Sequence, residues 1–473
     1  MHVEIHVWNL MKGLRYKMRE IVYEKVNFPE TDRPAFVELS DETIEERYEK
    51  IKQGMKRRGL DCLIIYADKE HGSNFEYLTG FFPRFEEALL VIKNDENYLL
   101  LGNENMKMAA HARIKNKAIC VPYFSLPNQP MENTVDLKGL LAMTGISSEM
   151  HIGIVGWKYF TSRFERNDQL YDVPYYIVDT LKTIVGETGL ICNATDLFIK
   201  EARTINNANE IIHYMYGASL ASGCIIDIMK NIEAGKNDLE MASLLDREGQ
   251  LHTTVSIFAS GERYEKANLF PRNKIIRPSD KISMSVGYKG GLSCRNGFAV
   301  KDASMLPEGQ KDYMERVVKP YFNSYVEWLE KIKIGMSGKE MYDLIETCLP
   351  KNQYHWFLNP GHLTQDEEWL SSPIYADSCE ILKSGMMFQV DIIPSIAGYH
   401  GVNCEEGIAL ADEKLRKEIQ KNYPSEWQLI EKRRKYIKEQ LNINISDEII
   451  PLSCSLAYLN PYLLNKGYAL KIK

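Results

Sequence analysis

The second half of this chain repeats itself, and that duplication is the feature that most constrains its fold. The first copy contains Ile232, Gly235, Asn237, Glu240, Met241 and Leu244, and the second contains Ile332, Gly335, Ser337, Glu340, Met341 and Leu344. In each copy a polar residue stands three positions before a glutamate, which is the capping-box spacing that starts a helix. Ser279–Ser285 (SDKISMS) is then matched by Gly385–Asp391 (GMMFQVD). Each half is therefore predicted to contain a helix, a glycine turn, a capped helix and a strand, with a site between the two halves. A chance similarity of short motifs is the alternative.

Composition excludes several classes of protein. The chain has 473 residues, with 58 Lys and Arg against 65 Asp and Glu and a formal net charge of −7. This length predicts two or three domains, and the acidic excess argues against a nucleic-acid partner. No apolar run is long enough to suggest a membrane span, so no membrane partner is expected. The nine cysteines are scattered without a C-x-x-C pair, which favours a reducing compartment and a cytoplasmic location.

Local patterns place the first elements and the domain boundaries. Ile44, Tyr48, Ile51 and Met55 at helical spacing predict a helix over residues 43–58, with a cap at Ser40 or Asp41 and an end at Gly59. Strands are predicted at Leu60–Tyr66, Ala88–Ile92 and Asn97–Leu101. The expected divisions are an N-terminal extension (1–38), an α/β domain (39–185), a linker (186–195), a catalytic-like domain (195–425) and a C-terminal extension (426–473). We expect the extension's helical and apolar segments to pack on the catalytic domain or on a second subunit.

A series of motifs resembles the creatinase, prolidase, aminopeptidase P and methionine aminopeptidase family. Asn74–Phe81 (NFEYLTGF) is similar to the Y-L-T-G-F segment of the family's N-terminal domain. The landmarks of its catalytic domain are matched in order by Ser260–Glu262, Pro278–Asp280, Pro360–His362, Gly385–Pro394 and Gly401–Glu406. The resemblance covers about residues 40–425. It implies the α/β (α+β) fold class, a creatinase-like N-terminal α/β domain followed by a duplicated pita-bread domain, and a homodimer.

The resemblance also places the family's metal ligands on this chain. The metallopeptidases of the family hold two divalent ions with two Asp, one His and two Glu. These positions are occupied here by Ser285, Asn296, His362, Asp391 and Glu405. Two carboxylates cannot neutralise two divalent ions in a partly dry pocket, so no metal pair is expected. A single ion held by His362, Asp391 and Glu405 is the alternative. The repeat independently supports the loss of a carboxylate at Ser285, because Ser285 is the position equivalent to Asp391.

The remaining polar residues of the motifs define an expected pocket. His362, Asp391 and Glu405 are the candidate catalytic residues, since a histidine beside carboxylates can carry protons at neutral pH. The alternative is that they form a relic of a lost metal site. Two further family histidines fall on Asn268 and Trp369. The residues expected to bind substrate are Asn268, Ser285, Asn296, Arg295, Trp369 and Glu406.

These expectations give one leading function and two alternatives. The leading hypothesis is a Xaa-Pro peptidase-like or creatinase-like hydrolase that cleaves a C–N bond in a small molecule or short peptide without a metal pair. It would need no cofactor, or one divalent metal ion. The alternatives are a non-catalytic pseudoenzyme that binds a peptide or metabolite, and a metal-dependent Xaa-Pro peptidase. Metal content and turnover distinguish the three.

Overall fold

The computed structural model describes residues 19–131 and 135–473. The described chain divides into two compact units: Glu38–Ile205, and residues 19–37 together with Asn206–Lys473. Residues 1–18 of the expected N-terminal extension lie outside the described residues. Strand β1 (Ile21–Lys25) precedes the first unit in sequence and belongs to the second.

The first unit is an α/β domain built on a six-stranded mixed sheet. The strands are β2 (Cys62–Ala67), β3 (Ala88–Lys93), β4 (Glu96–Leu101), β5 (Lys117–Cys120), β6 (His151–Val155) and β7 (Leu190–Asn193), in the order β5-β4-β3-β2-β6-β7. The helices are α1 (Asp41–Arg58), α2 (Ser73–Thr79), α3 (Leu137–Ala142) and α4 (Tyr175–Val185). Alternate residues of β2 share a hydrophobic core with α3 and α4, as expected for a strand that buries both faces.

Local signals in this unit give the elements that the sequence predicts. The side chain of Ser40 accepts a hydrogen bond from the Thr43 amide at the start of α1, and Gly59 ends the helix with a φ of 63°. The expected linker at residues 186–195 is wrong, because Leu190–Asn193 pairs in parallel with β6 and completes the sheet. The boundary between the units lies instead between Ile205 and Asn206.

The second unit contains two four-stranded sheets, and the strand β13 (Asn403–Glu405), which follows the second copy of the repeat, joins the sheet formed by the first copy. The strands are β8 (Ile257–Ser260), β9 (Lys281–Tyr288), β10 (Gly291–Phe298), β11 (His362–Leu363), β12 (Met387–Gln389), β13 (Asn403–Glu405), β14 (Gly407–Leu410), β15 (Ile449–Pro451) and β16 (Tyr468–Ile472). One sheet has the order β13-β10-β9-β8, the other has the order β11-β12-β14-β15, and β1 pairs with β16. The chain passes from the first sheet to the second at Glu406, between β13 and β14.

The helices of this unit repeat the pattern predicted from the sequence. They are α5 (Ala208–Asn231), α6 (Asp238–Ala242), α7 (Lys319–Lys331), α8 (Gly338–Cys348), α9 (Lys351–Tyr354), α10 (Glu413–Asn422) and α11 (Pro424–Glu439). Both predicted capping boxes are present, with Asn237 and Glu240 at α6 and Ser337 and Glu340 at α8. Gly235 and Gly335 precede them with φ values of 97° and 87°. The duplicated pita-bread architecture is confirmed.

Helix α5 is the central helix of the second unit. By length and composition it could cross a membrane, which the sequence analysis did not anticipate, but 89% of its most apolar window is buried inside the unit. A buried apolar helix of this kind is usual in the core of a globular domain. Among the described residues it is the one helix that meets this test.

The C-terminal segment is an integral part of the second unit. β15 pairs with β14 at the edge of a sheet, and residues 449–462 are buried. Arg433 of α11 donates to the carbonyl oxygens of Pro451 and Leu452 at 3.2 and 2.6 Å, and so ties the helix to the segment that follows β15. The apolar residues expected to pack on the catalytic domain therefore complete its core.

Candidate active site

A buried histidine lies where the two sheets of the second unit meet. His362 begins β11 opposite Gln389 of β12, and its side chain is fully buried. Its Nε2 atom is 3.0 Å from Oε1 of Glu368 and 3.8 Å from Oε1 of Glu405. Glu405 ends β13 in the other sheet, so the cluster draws on both sheets. His362 and Glu405, which the sequence predicts to share a pocket, therefore lie close together.

The orientation of the His362 ring is fixed on two sides. Nδ1 lies 3.2 Å from the carbonyl oxygen of Leu363. A carbonyl oxygen only accepts, so Nδ1 carries the proton and Nε2 is directed toward the carboxylates. Trp369 stacks on the ring with centroids 4.0 Å apart and planes 22° apart. Although Nε2 is within ion-pair distance of two acids, it has no well-directed hydrogen-bond partner among the described residues.

The acids and the histidine shift one another's proton affinity. Burial opposes the charged form of His362, but Glu368, Glu405 and Asp391 outweigh burial and raise its pKa to about 10. Burial raises the pKa of Asp391, and burial together with Asp391 raises the pKa of Glu405 well above its usual range. Burial also opposes the charge of Glu368, but His362 lowers its pKa. The cluster thus contains one cationic group, His362, and one acid that ionises readily, Glu368. Its other two acids, Asp391 and Glu405, ionise with difficulty.

One face of the first sheet forms the wall beside this cluster. Cys294 lies opposite Glu405 across β10 and β13, and Asn296 lies opposite Asn403. On the other side of β10, Ser285 lies opposite Cys294. Because cross-strand partners point to the same face, these side chains flank Glu405. Ser285 and Asn296 therefore share a face with a candidate catalytic acid, and their part in substrate binding stays a prediction.

Comparisons with known proteins agree with this architecture. Residues 47–175 match the family model of the Creatinase/Prolidase N-terminal domain. A prolidase from Thermococcus sibiricus is 16% identical, with 78% of this chain and 95% of that chain covered and a TM-score of 0.62. This chain has the prolidase fold, with a creatinase/prolidase N-terminal domain.

Two further solved structures show the same fold. A prolidase from Pyrococcus horikoshii OT3 is 17% identical, with 77% of this chain and 95% of that chain covered and a TM-score of 0.59. A Xaa-Pro dipeptidase from Bacillus anthracis is 18% identical, with 78% of this chain and 96% of that chain covered and a TM-score of 0.58. No curated protein sequence matches the chain.

Two residues expected to bind substrate in this prolidase-fold chain lie on the wrong face of the sheet. Arg295 and Glu406 are buried and form an ion pair of 2.7 Å. Arg295 alternates with Cys294 and Asn296 along β10, so its side chain points away from Glu405. It donates to the carbonyl oxygens of Tyr458 and Ser455 at 3.0 and 2.8 Å. The expectation that Arg295 and Glu406 line the pocket is therefore corrected, because both fasten the C-terminal segment.

The other predicted pocket residues have different outcomes. Trp369 lies against His362, as described above. Asn268 lies in the loop after β8, half-buried, and its Oδ1 accepts a hydrogen bond from the Phe270 amide at 3.1 Å. Its role in substrate binding stays a prediction. Burial raises the pKa of the Cys294 thiol well above its usual range, which argues against Cys294 as a nucleophile.

Glu368 is the site residue that the sequence analysis missed. It falls on none of the positions that carry ligands in the family resemblance, and it lies in an acidic run, Asp366–Glu368, that resembles an ordinary solvated loop. The run directly precedes the tryptophan that stacks on His362. Acids beside a predicted pocket aromatic were the only signal available from the sequence.

The donor set of the cluster could hold one divalent cation. Ligand atoms of His362, Glu368 and Glu405 lie within 4.8 Å of one another. The Nδ1–H hydrogen bond leaves the Nε2 lone pair free, which is the usual arrangement of a metal-binding histidine. Two carboxylates balance one divalent charge, whereas Ser285 and Asn296 offer no charge for a second ion. This group contains Glu368 in addition to the expected His362 and Glu405, and the expected part of Asp391 in holding an ion stays a prediction.

Proposed function

We propose that this chain is a hydrolase that cleaves a C–N bond in a small polar or short peptide substrate without a pair of metal ions. The observation that carries the proposal is the buried Nε2 of His362, which faces two carboxylates and has no well-directed hydrogen-bond partner. Glu368 lies 3.0 Å from this atom, so the charged form of the ring is paired within the buried cluster. Clustered titratable groups with displaced pKa values are typical of active sites.

The geometry suggests how protons would move. A water molecule attacks the carbon of the C–N bond and gives a proton to Asp391, whose pKa of about 7 leaves part of it ionised at neutral pH. The protonated His362 gives its proton to the leaving nitrogen as the C–N bond breaks. Glu368 stabilises the imidazolium before the transfer, and Trp369 holds the ring in position. Groups whose pKa values are pushed apart are suited to such separate acid and base roles.

A metal-dependent Xaa-Pro peptidase with one ion is the second candidate, and the His362, Glu368 and Glu405 group favours it. When bound there, a divalent cation would lower the pKa of a water molecule and so supply the nucleophile. In that case His362 would serve as a ligand and would not donate a proton. The homodimer stays a prediction from the resemblance, and the cytoplasmic location stays a prediction from the composition and the scattered cysteines.

Metal analysis combined with turnover separates these functions. The metal content of the purified protein is measured by inductively coupled plasma mass spectrometry. Turnover of proline dipeptides and of amidino and ureido compounds is then measured before and after EDTA treatment. We expect turnover that survives EDTA and falls by about 10²–10⁴-fold in Glu368→Gln. The neighbouring substitution Glu367→Gln is the matched control and should leave turnover within about twofold.

Three results would overturn the proposal. Near-stoichiometric Mn, Co, Fe or Zn that is lost in His362→Ala, with turnover abolished by EDTA, would establish the metal-dependent alternative. No turnover of any compound in the panel would favour a non-catalytic binding protein. Equal losses in Glu367→Gln and Glu368→Gln would remove the specific role assigned to the cluster.

A further inference from the structure

A serine and a histidine in the loop that leads into β8 form a second group of reactive side chains, which shares no residue with the cluster around His362. Oγ of Ser256 is 3.0 Å from Nδ1 of His252, and Nε2 of His252 is 3.2 Å from the hydroxyl oxygen of Tyr288. Ser256 and His252 are half-buried, whereas Tyr288 is only 1% exposed. A hydroxyl, an imidazole and a fixed third group therefore lie in series, which is the arrangement that activates a nucleophilic serine.

The hydrogen bonds of Tyr288 set the direction of this series. Its hydroxyl donates its one proton to the carbonyl oxygen of Leu245 at 2.7 Å and accepts a hydrogen bond from the Arg247 amide at 2.9 Å. Because the phenol has no second proton, Nε2 of His252 carries the ring proton and donates it to the phenol oxygen. Nδ1 is then an acceptor, and the Ser256 hydroxyl donates to it. The histidine therefore has the tautomer that a general base for Ser256 requires.

The backbone holds the serine and the histidine in place. The Thr253 amide, directly after His252, donates to the carbonyl oxygen of Gly287 in β9 at 3.0 Å. Ser256 directly precedes β8, which pairs with β9 along its whole length. The two residues are thus attached to the same strand, so little conformational freedom is lost when a substrate reaches them.

The residues next to the pair in sequence indicate the kind of substrate. Leu251 and Val255 are 49% and 39% exposed. They give the loop an apolar surface open to solvent, which favours an uncharged, apolar molecule. A serine hydroxyl with a neutral imidazole as base attacks the carbonyl carbon of an ester, whose alcohol is a good leaving group.

We propose that Ser256 is the nucleophile and His252 the general base of a second catalytic site, which hydrolyses small apolar carboxylic esters. Oγ of Ser256 bonds to the carbonyl carbon while its proton passes to Nδ1 of His252. The ester C–O bond breaks, and the departing alcohol oxygen takes that proton. A water molecule then attacks the acyl carbon and gives a proton to His252, and this proton returns to Oγ as the acid leaves. Tyr288 is a positioning residue, since it acts only through the ring of His252.

Covalent labelling tests this site in the intact protein. The protein is incubated in EDTA with phenylmethylsulfonyl fluoride, which forms a sulfonyl ester with an activated serine and releases fluoride, and peptide mass mapping identifies the labelled residue. We expect the label on Ser256. We also expect turnover of p-nitrophenyl acetate that falls at least about 10²-fold in Ser256→Ala and in His252→Gln. Ser243→Ala, which removes an exposed hydroxyl that donates to the carbonyl oxygen of Glu240, is the matched control and should change neither result.

The part played by Tyr288 is read from the tautomer of the histidine ring. Nitrogen NMR shifts of His252, assigned with His252→Gln, should show the Nε2–H form in the parent protein. Tyr288→Phe removes the acceptor and should increase the Nδ1–H form while circular dichroism stays unchanged. An unchanged tautomer in Tyr288→Phe would remove the positioning role.

Three results would overturn the site itself. These are the absence of a label on Ser256, ester turnover that is retained in Ser256→Ala, and labelling of Ser256 at the parental rate in His252→Gln. If a variant fails to fold by circular dichroism, peptide mapping of the unaltered protein decides. The esterase does not depend on the C–N hydrolysis proposed above, so failure of either leaves the other standing.

Discussion

The buried ion pair between Arg295 and Glu406 gives a prediction that can be worked from the structure. The two side chains are 1% and 0% exposed, and their charged atoms are 2.7 Å apart. Glu406 also accepts a hydrogen bond from the Ser293 hydroxyl at 2.8 Å. Glu406→Gln keeps the shape but leaves the Arg295 charge buried without its partner. Removing one member of a buried pair costs about 3–5 kcal/mol of the free energy of unfolding.

We expect Glu406→Gln to fall at the lower end of that range, about 3 kcal/mol, because glutamine still accepts hydrogen bonds. Arg295 also keeps its hydrogen bonds to the carbonyl oxygens of Ser455 and Tyr458. The double variant Arg295→Met with Glu406→Leu removes the uncompensated charge, and its single variants are Arg295→Met and Glu406→Leu. The double variant should therefore be less destabilised than the sum of the single variants by at least about 1 kcal/mol.

Urea unfolding followed by tryptophan fluorescence measures these changes, since Trp328, Trp356, Trp369 and Trp427 all lie in the second unit. The control is Asp343→Asn, which breaks the exposed ion pair with Lys339 and should change stability by less than about 0.5 kcal/mol. A change below about 0.5 kcal/mol in Glu406→Gln, or additive losses in the double variant, would refute the structural role. Loss of turnover in Glu406→Gln at unchanged stability would instead show that Glu406 acts in the pocket.

Three further predictions concern the stacked ring, a glycine and a half-buried histidine. Trp369→Ala, which removes the ring stacked on His362, should lower kcat at least about tenfold, whereas Trp369→Phe should retain most activity. Gly338→Ala would place a Cβ atom 1.8 Å from the carbonyl oxygen of Pro373 and should cost at least about 3 kcal/mol in urea unfolding. Burial lowers the pKa of His400 to about 4, so the folded state binds fewer protons than the unfolded state below the ordinary value of about 6.5. The contribution of His400 to stability should be constant above about pH 6.5 and fall by up to about 3 kcal/mol toward pH 4, and His400→Gln should remove this part of the acid dependence in urea titrations.

Each of these has a contradicting result. Equal kcat in Trp369→Ala and the parent would show that the stacked ring does not position His362. A soluble Gly338→Ala with parental stability would show that α8 can move away from Pro373. An unchanged acid dependence in His400→Gln would assign the loss of stability to other groups.

The N-terminal domain shows what short-range signals determine. The cap at Ser40, the apolar spacing of α1 and the stop at Gly59 act within a few residues of one another, so they are legible in the sequence. Leu190–Asn193 is different, because its surroundings in sequence read as a linker and only pairing with β6 makes it a strand. Strand formation depends on a distant partner, whereas a helix satisfies its own backbone.

The sequence by itself determined the duplication and its capping boxes, whereas the replacement of two metal-ligating carboxylates by Ser285 and Asn296 stays a prediction from the resemblance. The duplication and the capping boxes are properties of residue identity and local spacing. Only the tertiary structure decided that Glu368 lies beside His362, that Arg295 and Glu406 point away from the site, and that Tyr288 contacts the ring of His252. The reason is that the partners of a buried polar group come from segments far apart in the chain, and packing alone brings them within hydrogen-bond distance.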